Sequence, residues 1–342
     1  MDRLRQTALA VLVIAVCATQ VTLRSEDPNG TALASVTNVL ANTGGDLSQY
    51  RPLSAYAAVG LQTLFGLPSP PFEAMRFVQC LLLFALAYVY YGQLGIHSRW
   101  RLAGIGLLTG LISLQLGTLG PNGYSLDRFL DTIFYLVAGI LVLSNRAVWI
   151  PGLIGVAIAN RETAVFMPTL VLARYSFTAR KPLIIACVSW VVAAIVYLAI
   201  HVYYGPHPRT EDSYFGPNMF LHSVSMPGQT AFFLAAITIL PLLVVLVLDD
   251  VDPYLRRLFW MVVPLWFAIH VWAARLGEGL MYLAPLALIG VPLVLQGLPR
   301  RLESSAVSAP LVAAPLQGRP ERSAARPAPV AQAARRLARG DP

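Results

Sequence analysis

The chain has 342 residues, of which 56% are hydrophobic and only 12% charged, and its formal net charge is +8. Soluble domains carry about a quarter charged residues, so this composition excludes a soluble enzyme, a disordered protein and a nucleic-acid-binding module. Lys181 is the only lysine, and the arginine-dominated charge is read through membrane topology rather than as a surface for a polyanion. We predict an all-α polytopic membrane protein.

Eight runs of apolar residues are long enough to cross a membrane, since a helix that spans the hydrocarbon core needs about 20 of them. A ninth apolar stretch, residues 150–173, is interrupted by Asn160-Arg161-Glu162, and each half is too short to span a bilayer. We therefore predict about eight full spans and one broken-helix hairpin. The eight runs are residues 7–23, 73–93, 102–119, 129–144, 182–203, 229–248, 258–273 and 279–297.

The basic residues set the predicted topology. If the N-terminus is cytoplasmic and residues 150–173 enter and leave on the cytoplasmic side, 18 of the 25 basic residues face the cytoplasm, in agreement with the positive-inside rule. If residues 150–173 formed one straight span, every later loop would change sides and the basic loop 174–181 would face outward. The hairpin layout is therefore preferred, and it places both termini in the cytoplasm.

This layout divides the chain into a transmembrane domain, residues 1–298, and a basic cytoplasmic tail, residues 299–342. The tail is rich in Ala, Pro and Arg. It shows no sustained periodicity, so we predict that it is disordered.

Two outer segments are long, whereas the inner loops are short. They are residues 24–72 and residues 204–228. Within the first, residues 31–42 and 53–67 have the lengths and flanking residues of amphipathic helices that lie in the membrane interface.

Ionisable residues of the spans concentrate on the predicted outer side. Each costs about 2.5–3.5 kcal/mol to insert at bilayer depth, so such residues usually face a cavity and mark function. Arg161-Glu162 is predicted at the tip between the two half-helices. Either Arg161 holds an anionic head group through its planar guanidinium, or the pair forms a buried ion pair with a partner such as Asp131 or Arg275.

Two aspartates precede and open a predicted span. Asp127 and Asp131 are four residues apart, so they share a helix face. Their like charges repel unless a cation such as Arg128 or Arg161 lies between them. A structural and a functional interpretation are both open for this pair.

Two further charged pairs lie near outer ends of spans. Arg275 and Glu278 form either an intrahelical pair or a second wall of a polar vestibule. Glu26 and Asp27 follow the first span directly. They are either a solvated helix end or the place of a general base, which must lie within hydrogen-bond reach of an acceptor hydroxyl.

Four short segments occur in order within residues 1–297: Tyr50-Arg51-Pro52-Leu53, Asp131 at the opening of a span, Asn160-Arg161-Glu162-Thr163-Ala164, and Arg275-Leu276-Gly277-Glu278. The third, with the aspartate before it, is the most specific. Together they resemble the GT-C superfamily of polyprenyl-phosphate-dependent glycosyltransferases, and most of all a bacterial branch with YRxL and NRET segments.

The resemblance implies a GT-C-like helical core in a bacterial inner membrane. A sugar would move from a polyprenyl-phosphate carrier to a hydroxyl of a lipid or glycan acceptor on the outer face. The resemblance also implies that Asp27 is the general base, with Glu26 as the alternative. The expected partners are this donor, the acceptor and membrane lipids, with no nucleic acid, metal ion or cofactor.

We hypothesise that the following residues contact the substrates. Arg161 and Arg51 would neutralise the phosphate leaving group, whose developing charge needs preorganised donors. Glu162, Asp131 and Glu278 would position those arginines or the acceptor. The expected substrate-binding set is Arg51, Tyr50, Asp127, Asp131, Asn160, Arg161, Glu162, Arg275 and Glu278.

Two other functions remain as alternatives. A transporter or flippase of lipid-linked glycans would place charged or broken-helix features near the midplane and expose them to both sides. The one-sided charge distribution and the lack of a convincing internal repeat favour the transferase over it. A non-catalytic subunit of an envelope-assembly complex is the third hypothesis.

Overall fold

The computed structural model describes residues 2–25, 30–43, 50–118, 126–175, 179–205, 244–273 and 279–308. These residues form helices and turns, and no strand occurs among them. The part of this structure up to Leu302 is one compact unit. The described α-helices of eight or more residues are α1 Asp2–Arg24, α2 Thr31–Ala41, α3 Pro52–Phe65, α4 Phe72–Gln93, α5 Ser98–Thr118, α6 Leu126–Leu143, α7 Ile150–Asn160, α8 Pro168–Tyr175, α9 Arg180–Tyr204, α10 Pro253–Ala273 and α11 Val291–Ser308.

Four described helices are long and apolar enough to cross a membrane. Helices α5, α6 and α10 cover most of the predicted spans 102–119, 129–144 and 258–273. Most of the predicted span 229–248 lies outside the described residues. These are the helices of a membrane protein, and the total of eight spans stays a prediction. The four helices are Leu4–Arg24, Phe72–Gln93, Arg180–Tyr204 and Leu283–Arg301.

Helix α9 carries an exposed apolar stripe. Its members recur every three or four residues, so they share one face of the helix. The opposite face contains the buried small residues Ala186, Ser189 and Ala193, and α9 packs against α7 and α8. An apolar stripe of this length is typical of a surface that faces hydrocarbon or a partner. The stripe consists of Ile184, Val188, Val191, Ile195, Leu198 and Val202, which are between 45% and 82% exposed.

Both helices predicted for the first outer loop are present. Residues 31–42 correspond to α2 and residues 53–67 to α3. Pro52 occupies the first turn of α3, where its missing N–H costs nothing. Both helices end in a left-handed residue, Asn42 (φ 55°) and Gly66 (φ 61°), whose N–H caps the last carbonyls. They pack together around a small apolar core that also includes Met75 and Leu126.

The chain reverses direction between α7 and α8. Arg161 adopts an extended conformation (φ −162°, ψ 138°) and ends α7. At the far end of α8, the Tyr175 hydroxyl donates to Asn145 Oδ1 at 2.9 Å, whereas Asn160 Nδ2 donates to the Asp127 carbonyl at 2.8 Å. Both ends of the hairpin therefore lie at the Asn145 end of α6, and its tip, residues 160–163, lies at the Asp127 end. These contacts fit the predicted hairpin and not a single straight span.

Side-chain donors satisfy the irregular backbone that follows the tip. A 3₁₀ turn, Glu162–Phe166, joins α7 to α8. The Tyr135 hydroxyl donates to the Thr163 carbonyl at 2.5 Å, and Trp190 Nε1 donates to the Val165 carbonyl at 3.0 Å. Buried backbone carbonyls need such partners, because a polar group left unpaired away from water costs free energy.

A π-helical segment, Leu286–Gly290, precedes α11 and is held by two tyrosines of α4. Tyr90 donates to the Leu288 carbonyl at 3.1 Å and Tyr91 to the Ala287 carbonyl at 3.0 Å. Both hydroxyls are buried. A π-helix departs from the α-helical bonding pattern, and the two hydroxyls supply additional donors there.

The first residues of the tail predicted from residue 299 belong to a helix. Helix α11 continues to Ser308. Arg, Leu and Glu, which follow Pro299, are good helix formers, and Arg300 Nη1 donates to the Asp250 carbonyl at 2.9 Å. Residues 309–342 lie outside the described residues, and the boundary at residue 298 stays a prediction.

The reversal at the hairpin predicts which positions share one side of the membrane. On a Cys187→Ala background, Arg146→Cys and Arg174→Cys should react with an impermeant maleimide from one side, and Tyr203→Cys from the other. This follows because α9 starts beside the end of α8 and ends at the Asp127 end, where Gly205 accepts a hydrogen bond from Tyr50.

The measurement is mass-tag labelling in intact and permeabilised cells. The other two cysteines are buried and should contribute little background. Labelling of Arg174→Cys from the same side as Tyr203→Cys would contradict the reversal.

Candidate functional site

Three segments far apart in sequence meet at the Asp127 end of α6. They are the residues just before α3, the first turns of α6, and the hairpin tip. Their ionisable side chains form one group, called here the charged cluster. Its members are Arg51, Asp127, Asp131, Arg161 and Glu162.

Arg51 is the centre of the charged cluster. Its Nε donates to Glu162 Oε2 at 3.0 Å and its Nη2 to Glu162 Oε1, which makes a bidentate pair. Its Nη1 donates to Asp127 Oδ2 at 3.1 Å. The whole guanidinium fork is thus engaged by two carboxylates, the geometry that gives arginine its strongest pairings.

Arg161 approaches the same aspartate from the hairpin tip. Its Nη1 lies 3.6 Å from Asp127 Oδ2, and its side chain is only 4% exposed. The neighbouring Asn160 is fully buried and donates to the Asp127 carbonyl. Asp127 Oδ2 therefore faces two guanidinium groups, and these contacts form an ion-pair network.

Asp131 lies one turn deeper on α6 and is 3% exposed. Thr163 Oγ1 donates to its Oδ2 at 2.9 Å. Arg161 also acts on Asp131 electrostatically. Arg161 is therefore the cation that acts on both aspartates of this helix face.

Tyr50 anchors the residue next to Arg51. Its ring stacks on His201 with centroids 4.0 Å apart and planes 7° from parallel. Its hydroxyl donates to the Gly205 carbonyl at 3.0 Å. His201 in turn packs against Tyr197, with centroids also 4.0 Å apart. The end of α9 therefore supports the chain just before α3 and with it the position of Arg51.

Arg51 and Glu162 keep each other charged. Burial would lower the pKa of Arg51, but the charges of Glu162 and Asp127 outweigh it, and this pKa lies above its ordinary value. Burial would raise the pKa of Glu162, but Arg51 and Arg161 outweigh it, and this pKa lies below its ordinary value of 4.5. Both groups are ionised at neutral pH.

The structure brings together seven of the residues predicted from the sequence. Four others, Glu26, Asp27, Arg275 and Glu278, lie outside the described residues. The seven are Tyr50, Arg51, Asp127, Asp131, Asn160, Arg161 and Glu162.

Arg76 of α4 is a neighbour that the sequence analysis did not assign to the site. It is fully buried, and its Cζ lies 3.9 Å from the centroid of the Phe129 ring, a cation–π distance. Phe129 lies between the two aspartates of α6. The sequence feature that could have indicated Arg76 as a site residue is its place within the apolar run 73–93.

Thr163, Tyr135 and His201 were also missed as site residues. They hold the charged side chains and the backbone in place through single hydrogen bonds or ring contacts. No local pattern marks such residues, because each matters only through a partner distant in sequence.

No protein-family model, curated protein or solved structure matches this chain. The chemistry of the charged cluster is therefore inferred from its own residues.

The Thr163–Asp131 hydrogen bond predicts a stability difference between two variants. Thr163→Val removes the donor with little change of shape and leaves a buried carboxylate oxygen unsatisfied, so unfolding should become easier by about 1–3 kcal/mol. Thr163→Ser keeps the hydroxyl and should cost much less. The measurement is unfolding of the purified variants in the same detergent. An equal loss in both variants would show that the hydroxyl is not what matters.

The lowered pKa of Glu162 predicts how its contribution depends on pH. The ionised pair stabilises the fold above the ordinary pKa of 4.5, and this contribution is lost as pH falls through the lower pKa of the folded state. Wild type should therefore melt above Glu162→Gln between pH 7 and 5, and the gap should narrow below about 4.5. A gap that stays constant down to pH 3.5 would contradict the ion pair.

Proposed function

We propose that the protein is a membrane glycosyltransferase that moves a sugar from a polyprenyl-phosphate carrier to a hydroxyl of a lipid or glycan acceptor. The reaction takes place at the outer face of the bacterial inner membrane, where the proposed topology puts the Asp127 end of α6. That topology has eight spans, both termini in the cytoplasm, and a GT-C-like core with α2 and α3 in the outer interface.

The observation that carries the proposal is the meeting of Arg51 and Arg161 at Asp127. One guanidinium comes from the first outer loop and the other from the hairpin tip. Charged groups placed this way in an otherwise apolar chain are costly, and such groups usually mark function. Two guanidinium forks suit the oxygens of a phosphate leaving group, whose charge grows as the glycosidic bond breaks.

The proposed general base is Asp27, with Glu26 as the alternative. Both residues follow α1 in sequence. The end of α1 lies near the charged cluster, since Thr22 contacts Cys80 on α4 and the adjacent Gln79 donates to the Leu126 carbonyl at 3.1 Å. A carboxylate delivered from this end of α1 has the chemistry to take the proton from an acceptor hydroxyl.

The first test compares a deletion strain of the host bacterium with strains complemented by variants, using mass spectrometry of surface glycans and lipid-linked intermediates. Asp27→Asn should abolish transfer at equal protein level. Arg51→Gln and Arg161→Gln should each reduce it by about 10²–10³-fold, the usual effect of removing one oxyanion donor. The control is Arg99→Gln, an exposed arginine at the opposite end of the bundle, which should retain full transfer.

The outcomes separate the candidate functions. Loss of one defined sugar, restored by wild type and not by Asp27→Asn, supports the transferase. Intact glycans with an accumulated lipid-linked precursor would overturn it in favour of transport. An unchanged phenotype after removal of both Asp27 and Arg161 would leave an assembly subunit as the better account.

A further inference from the structure

The position on Arg51 that an anion would occupy is already taken by a protein carboxylate. Glu162 contacts both Nε and Nη2, and Asp127 contacts Nη1. A phosphate group recognised by a guanidinium fork uses the same paired donors as Glu162. A bound phosphate and the Glu162 carboxylate therefore compete for one place.

The negative charge already in the cluster prevents a phosphate and the Glu162 carboxylate from binding Arg51 at the same time. Its two guanidinium groups already face two carboxylates, since Arg51 pairs with Glu162 and Asp127, and Arg161 lies beside Asp127. A phosphate added to this set would bring further negative charge beside carboxylates, and like charges in a poorly hydrated site repel strongly. Binding is favourable only if one carboxylate withdraws.

Glu162 is the carboxylate able to withdraw. Its side chain is 42% exposed, against 14% for Asp127. It opens the 3₁₀ turn at the hairpin tip, so it can move into water without breaking a regular helix. Asp127 belongs to the first turn of α6 and faces both arginines, and its carbonyl is held by Asn160.

Contacts that do not involve Glu162 keep Arg51 in place when Glu162 moves. Tyr50 stacks on His201 and donates to the Gly205 carbonyl. The contact between Arg51 Nη1 and Asp127 adds a second attachment. The guanidinium fork therefore keeps its place when its bidentate partner leaves.

We propose that Glu162 is an internal competitor for the anion site of Arg51, and that the phosphate of a lipid-linked donor binds by displacing it. The proposal rests on the proposed function, since it takes a polyprenyl phosphate as the ligand. It adds that Glu162 occupies the anion site when no donor is bound. Glu162 therefore lowers the affinity for the donor instead of raising it. A residue that merely positioned substrate would have the opposite effect when removed.

The test measures direct binding of farnesyl phosphate, a short polyprenyl phosphate, to the purified full-length protein in nanodiscs. Glu162→Gln keeps the shape of the side chain and removes its charge. It should bind farnesyl phosphate about tenfold more tightly than wild type, as expected for weakening one partly exposed charge-assisted pair. Inorganic phosphate, added as a competitor, shows whether the head group alone suffices or the lipid chain is required.

Three controls isolate the exchange at Arg51. Glu73→Gln removes an exposed carboxylate of the first turn of α4, at the same end of the bundle, and should leave affinity unchanged. Farnesol, which lacks the phosphate, should bind wild type and Glu162→Gln equally. In an Arg51→Gln background, Glu162→Gln should give no gain. If Glu162→Gln is not monodisperse, Glu162→Ala tests the same contact.

The possible failures are distinguishable. If wild type binds farnesyl phosphate more tightly than farnesol but Glu162→Gln shows equal or weaker binding, the exchange is overturned and the proposed function stands. If neither folded protein prefers farnesyl phosphate to farnesol, the lipid-phosphate site fails, and the proposed function and the exchange fail with it.

Discussion

Guanidinium and carboxylate groups within an apolar helical bundle must neutralise one another, and this requirement ties the site together. Arg51, Asp127 and Glu162 come from three different segments, yet one guanidinium engages both acids. Loss of one partner of a buried pair leaves an uncompensated charge and typically costs about 3–5 kcal/mol. The ion pairs therefore fix the start of α3 and the hairpin tip against α6, and the function proposed for them depends on the same contacts.

The hairpin tip obeys a second constraint, the pairing of backbone polar groups away from water. The chain leaves the α-helical pattern at Arg161, and the carbonyls that follow accept from Tyr135 and Trp190. The tip can be irregular only because α6 and α9 supply those donors. Irregular backbone and charged side chains thus coincide at one place, and that place is the candidate site.

Stability and the proposed binding make opposite demands on Glu162. Its bidentate contact stabilises the fold and also fills the fork of Arg51. Proteins commonly give up some stability where binding needs a group to be free. Partial exposure of Glu162 reconciles the two demands, since a carboxylate near water can leave its partner at a lower cost than a buried one can.

Hydropathy and charge are local properties, so the sequence alone was enough to predict the helical membrane class, the helices α2 and α3, and the break at Asn160-Arg161-Glu162. It also identified Asp127 and Glu162 as candidates, because ionised groups are rare in and beside apolar runs, and Arg51 through the resemblance of its Tyr50-Arg51-Pro52-Leu53 segment. Only the tertiary structure decided their pairing, since Arg51 meets residues 76 and 111 positions away. The roles of Thr163, Tyr135 and Arg76 could not be predicted for the same reason. Each of these side chains acquires its role from the helix packed against it, and that packing leaves no local pattern in the sequence.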